Sequence, residues 1–114
     1  MRPPPGPRRG DGSAAPVAAT VVYSEQALDD IERALASMRA EDAQLVRASA
    51  LAIRTAVEGL AAHPFVGPLI EGDLRELVIS YGRTGYIAMY RYHVQSDEVR
   101  LLALRHQRVV GYVP

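Results

Sequence analysis

The stretch 74-LRELVISYGRTGYIAMYRYHVQSDEVRLLALRH-106 decides the fold. Two turn signals divide it. Gly82-Arg83-Thr84-Gly85 separates Leu74–Ser80, apolar and partly β-branched, from Tyr86–His93, and Gln95-Ser96-Asp97 separates that run from Val99–His106. Three successive strands joined by short turns give an antiparallel sheet. In the middle strand one face carries Tyr86, Ala88, Tyr90 and Tyr92 and the other Ile87, Met89, Arg91 and His93. Neither face is purely polar, which predicts a central position in the sheet.

Working back from Leu74, Pro64–Asp73 holds two prolines and two glycines and reads as an irregular crossing. Before it, Val46, Ala50, Ile53, Val57 and Leu60 step by four, three, four and three residues, the spacing of one helix face. That helix starts near Asp42, is weakened by Gly59 and stops at His63-Pro64. An earlier helix runs from the cap Ser24 to about Arg39, with Leu28, Ile31, Leu35 and Met38 on its core face and Glu25, Asp29 and Asp30 near its positive end. Only Ala40-Glu41 lies between the two, so they form an antiparallel hairpin. Val17–Tyr23 is short and β-branched and reads as an N-terminal strand. The expected architecture is α+β, β-α-α-β-β-β: a helical hairpin packed on a mostly antiparallel four-stranded sheet.

A chain of 114 residues has the size of one domain, and 48% hydrophobic with 23% charged residues is an ordinary globular balance. Residues 1–16, MRPPPGPRRGDGSAAP, are the exception. Rich in proline, glycine and arginine, they have too little to bury to offset their ordering entropy, and are expected to form a mobile tail ahead of a domain over 17–114. The absence of cysteine excludes disulfides, thiolate metal sites and a cysteine nucleophile. No apolar run is long enough to cross a bilayer and no signal segment opens the chain, so a cytoplasmic protein without membrane contact is expected.

Thirteen acids balance thirteen basic residues, every one of which is arginine. The charges are segregated. Between 20 and 73, four arginines face nine acids; between 74 and 114, six arginines face three. The basic C-terminal region also holds five of the six tyrosines. Arginine forks bind phosphate and aromatic rings stack on unpaired bases, so the composition suits single-stranded RNA; strand packing and solvated charge account for it equally well. Arg75, Arg83, Arg91, Arg105 and Arg108 are the candidate binding residues. For acid–base work the candidates are His106 and Tyr112, with Glu76 or Glu71 as a distant carboxylate. His63, His93 and His106 lack metal-ligand spacing, and no glycine-rich phosphate loop precedes a helix, so neither a metal nor a cofactor is expected.

Taken in order, Tyr23-Ser24 leading into Ala27-Leu28-Asp29-Asp30-Ile31, then His63-Pro64 with Gly67, Leu74-Arg75-Glu76-Leu77, Tyr90-Arg91-Tyr92 and Leu104-Arg105-His106-Gln107-Arg108 resemble the RelE/ParE superfamily of bacterial type II toxin–antitoxin toxins. The resemblance spans nearly all of Val21 to Tyr112. It implies a small cytoplasmic, growth-inhibiting toxin of the plasmid-stabilising kind. A cognate antitoxin would wrap over hairpin and sheet, possible as a hetero-oligomer, through residues that the sequence leaves unassigned.

Two mechanisms are implied by the superfamily. RelE-like members cut messenger RNA on the ribosome, and in that case Arg83, Arg91, His106 and Tyr112 would be the catalytic set. RelE-type chemistry resembles a scheme led by lysines, of which this chain has none, so His106 would have to serve as general base. ParE-like members poison DNA gyrase without being nucleases, and the long second helix and His106-Gln107-Arg108 resemble that branch, to which the reading leans. A third reading is a non-toxic antitoxin-binding partner or co-repressor.

Overall fold

The computed structural model describes residues 18–38, 42–81 and 84–107. Its elements are β1 (Thr20–Tyr23), α1 (Glu25–Ala36), α2 (Ala43–Glu58) continued by a 3-10 turn (Gly59–Ala61), β2 (Leu69–Glu71), β3 (Leu74–Tyr81), β4 (Thr84–His93) and β5 (Glu98–His106). The strands form one sheet in the order β1-β5-β4-β3-β2. Among the described residues only the β1–β5 pair is parallel. This is the expected α+β arrangement, with β4 in the middle. It has five strands rather than four, because Leu69–Glu71 pairs with β3 inside the stretch expected to be irregular. At three residues, with its register shifting between Leu69 and Glu71, that strand is too short to leave an alternating pattern.

Ser24 both starts α1 and fastens it to the sheet. Its side-chain oxygen accepts from the Ala27 N–H at 3.0 Å, while its hydroxyl donates to the Leu102 carbonyl at 3.0 Å. Asp42 caps α2 by accepting from the Gln44 N–H at 2.8 Å. Helix α1 ends at Ala36, short of the expected Arg39; residues 39–41, with the expected break, lie outside the described residues, as does the tail 1–16.

The core lies between the helices and one sheet face. Tyr86, Ala88 and Tyr90 of β4, Val99, Leu101 and Leu104 of β5 and Ile79 of β3 are buried there, with Ile53 and Val57 of α2 above them. Helix α1 packs mainly on β5 and α2 mainly on β3. Ile31 and Met38 of the expected α1 face do pack in the core, but the first turn differs: Ala27 is fully buried, whereas Leu28 is 53% exposed. The Ser24 tether draws the first turn onto β5, and Ala27 is the residue it sets against the sheet. Ser49 is buried in α2 with no hydrogen-bond partner for its hydroxyl among the described residues. Among those residues no helix is long and apolar enough to cross a membrane.

Candidate functional site

Register decides which candidates share a surface. The β4–β5 ladder sets His93 opposite Glu98, Arg91 opposite Arg100, Ile87 opposite Arg105 and Tyr86 opposite His106. Side chains alternate between faces along each strand. Arg91, His93, Arg100 and Arg105 therefore share the open face of the sheet, away from the helices. His106, one residue beyond Arg105, belongs to the helix-covered face.

A bulge makes this arrangement. Arg100 and Arg105 are five residues apart and would lie on opposite faces of a regular strand. The ladder shifts between Met89 and Tyr90, whose partners are Ala103 and Leu101, and Leu102 is the extra residue. The shift turns Arg105 to the side of Arg100. Arg100 was not singled out from the sequence, since strict alternation removes it from the face of Arg105.

Acids hold two of these guanidinium groups. Arg91 Nε lies 2.7 Å from Asp73 Oδ1, and Arg100 is 2.7 Å from Glu98 Oε1. The hydrogen bond from Arg91 holds the Asp73 carboxyl below its usual range. Arg105 is exposed. The face can thus meet a partner through charge and shape, with two of its arginines already neutralised from within.

His106 borders a different space. Its ring meets Tyr86 edge-on, centroids 5.4 Å apart, beside a cavity of about 580 Å3 that Asp30, Arg33, Ala34, Met38 and Leu104 also line. Burial raises the Tyr86 hydroxyl above its ordinary pKa. Burial also pushes the Asp30 carboxyl up, but hydrogen bonds from the Leu104 N–H (3.0 Å), Gln26 (2.8 Å) and Arg33 (2.8 Å) outweigh it and hold the group below its ordinary value. Asp30 thereby ties α1 to the end of β5 and is not free to act as a base.

Arg75 lies opposite Tyr90 in the β3–β4 ladder, on the helix-covered side. Its guanidinium donates to the carbonyls of Phe65 (3.2 Å) and Gly67 (2.7 Å) and sits 5.0 Å from the centre of the Phe65 ring. Next to it the Tyr90 hydroxyl donates to the Pro64 carbonyl at 2.8 Å and accepts from the Gly67 N–H at 2.9 Å. The loop after α2 is thus held from below by two strand residues. Glu71 is exposed on β2, and Glu76 stands opposite Met89 towards the open face. Arg83, Arg108 and Tyr112 lie outside the described residues. Among the described residues no group of three histidine, aspartate or glutamate side chains gathers as metal donors.

Residues 21–110 match the family model described as the ParE toxin of the type II toxin–antitoxin system parDE. The chain belongs to this family. It is the toxin of a type II toxin–antitoxin system within the RelE/ParE superfamily. No curated protein matches it. Among solved structures, the toxin is similar to a chain of the chromosomal ParDE system from P. aeruginosa, with TM-score 0.65, 15% identity, and coverage of 80% of this chain and 98% of that one. It is also similar to a chain of the intact E. coli RelBE toxin–antitoxin complex (TM-score 0.56, 12% identity, 80% and 99% covered). A chain of the Mycobacterium tuberculosis RelBE2 complex gives TM-score 0.53 at 22% identity, with 80% and 100% covered. At these identities the likeness establishes a shared fold.

Proposed function

We propose that the toxin acts in the ParE-like manner, arresting growth in the cytoplasm by binding DNA gyrase, with no nuclease chemistry of its own. The observation that carries this reading is the separation of Arg105 from His106. A nuclease that uses His106 as general base needs the imidazole within hydrogen-bond reach of a nucleophile on a phosphate held by arginine. Here the arginines Arg91, Arg100 and Arg105 are on the open face, whereas His106 is exposed at the end of β5 on the opposite side, against Tyr86, and Arg33, the arginine that borders its cavity, is paired with Asp30 at 2.8 Å. The absence of lysine removes the other obvious cation for the chemistry. Arg91 and Arg100, each paired with an acid, suit recognition of a protein surface better than capture of a bare phosphate.

Pulse labelling within minutes of inducing the chain, without its antitoxin, tests this reading. DNA synthesis is expected to fall first while translation continues, and the purified toxin to inhibit supercoiling by gyrase. If protein synthesis stops first and messenger RNA is cut, the RelE-like reading replaces it. Folded, abundant protein that stops neither would identify the non-toxic antitoxin-binding partner.

A further inference from the structure

Two like charges face each other across the β4–β5 ladder. Arg91 stands directly opposite Arg100 on the open face, and Cβ atoms so placed lie about 5 Å apart. Each guanidinium has an acid of its own, brought by a different part of the chain. Arg91 Nε donates to Asp73 Oδ1 at 2.7 Å from the turn between β2 and β3, which Gly72 makes at φ +57°, and Arg100 donates at 2.7 Å to Glu98 Oε1, two residues earlier on β5. Both pairs are open to water, where an ion pair adds little to stability, because solvent screens it and two long side chains must be ordered to make it. What the pairs do change is what the face can hold. Two neighbouring arginine forks are suited to straddle a phosphate, each binding it through paired N–H groups. With a carboxylate already on each, a phosphodiester has to break two ion pairs and enter beside two anions. A protein surface need do neither, since it can pack on Ile87 and Met89 of the same face and bond the N–H groups that the acids leave over.

We infer that Asp73 and Glu98 are specificity residues, which bar nucleic acid from the open face by denying Arg91 and Arg100 to phosphate and so keep that face for a protein partner. The segregation of charge gives them their task. From 74 to 114 six arginines stand against three acids, an excess that attracts polyanions whatever their sequence, and Arg105, exposed on the same face, adds to it. Asp73 is the last acid of the acid-rich part of the chain, 20–73, and the turn at Gly72 delivers it onto the basic sheet. Neutralising both acids raises the charge of the face by two and leaves a pair of adjacent guanidinium groups with no carboxylate between them and a phosphate. Specificity of this kind is built by repelling the wrong ligand, with no new contact to the right one.

Exclusion of nucleic acid rests on the gyrase reading only for the partner it leaves room for, and two separate measurements keep the claims apart. The full chain, Asp73→Asn, Glu98→Gln and the double variant are titrated with a fluorescent oligouridine across a salt series, and each is assayed for inhibition of supercoiling by purified gyrase. The double variant is expected to bind the RNA at least tenfold more tightly than wild type, with each single variant between the two. Its plot of log affinity against log salt is expected to steepen by about 1.4, the slope that two further phosphate contacts add on a single strand. Adding Arg91→Ala and Arg100→Ala to the double variant is expected to return binding to the wild-type level, and melting temperatures are expected to stay together. RNA binding that does not change in folded variants overturns the exclusion, whatever the gyrase assay gives, and so does a fall in melting temperature with no gain in RNA binding, which would make the pairs a structural brace. A gain that survives removal of both arginines overturns it too. If the wild-type chain fails to inhibit gyrase while the double variant gains RNA binding, the gyrase reading fails and the exclusion stands.

Discussion

His106 stands directly opposite Tyr86 across the β4–β5 ladder, its ring edge-on to the tyrosine at 5.4 Å, on the face of the sheet that the helices cover. Arg105, its chain neighbour, faces the other way. For a toxin that acts by surface recognition, His106→Ala is expected to leave growth arrest within twofold of wild type, whereas Arg105→Glu raises the inducer dose needed at least tenfold. Dose–response curves for arrest, with an RNA-cleavage assay alongside, measure this. Loss of arrest and of cleavage in His106→Ala would return the imidazole to catalysis.

Gly67 has no space for a side chain between Glu76 and Tyr90. Gly67→Ala is expected to destabilise the fold by about 1–3 kcal/mol, the range for forcing an extra carbon into a packed site. Tyr90→Phe leaves a buried N–H at Gly67 unpaired and is expected to cost about 1–3 kcal/mol. Urea unfolding measures both, and values within 0.5 kcal/mol of wild type, roughly the scatter of ordinary surface substitutions, would show that the loop is not seated as described.

Ser49 is 0% exposed and its hydroxyl has no partner among the described residues. Ser49→Ala removes a desolvated polar atom with almost no change in volume, and is expected to stabilise the chain by about 1 kcal/mol. A higher urea midpoint with unchanged slope would bear this out; a lower midpoint would mean that the hydroxyl has found a bond.

Asp30 has its carboxyl held below the ordinary value of 3.8, so its contribution to stability is fully present above that value and is lost as pH falls through the depressed one. Asp30→Asn is expected to cost about 1–2 kcal/mol at pH 7, on the scale of hydrogen bonds to charged groups, and progressively less below pH 4. Tyr23 has the opposite sign. Burial, with a hydrogen bond to Glu58, pushes its hydroxyl from 10.0 up to about 12, so its contribution is complete below 10.0 and lost as pH rises through about 12. Melting temperatures of wild type, Asp30→Asn and Tyr23→Phe across both pH ranges check the two signs; acid profiles that run parallel in wild type and Asp30→Asn would remove Asp30 from the account.

The sequence by itself determined the α+β class, the helical hairpin, the three long strands and the toxin superfamily. Those features rest on local signals: the three-four spacing of Val46, Ala50, Ile53, Val57 and Leu60, the caps Ser24 and Asp42, and the turns on either side of Tyr86–His93. Only the tertiary structure decided which site residues meet. The bulge at Leu102 turns Arg105 to the side of Arg100 and sets His106 on the covered face, the Ser24 tether buries Ala27 in place of Leu28, and Arg75 closes on the loop carrying Phe65. A period of two in sequence assigns faces only while the ladder stays in register. One extra residue reverses every later assignment, and its position is set by what the partner strand and the helix above can accommodate.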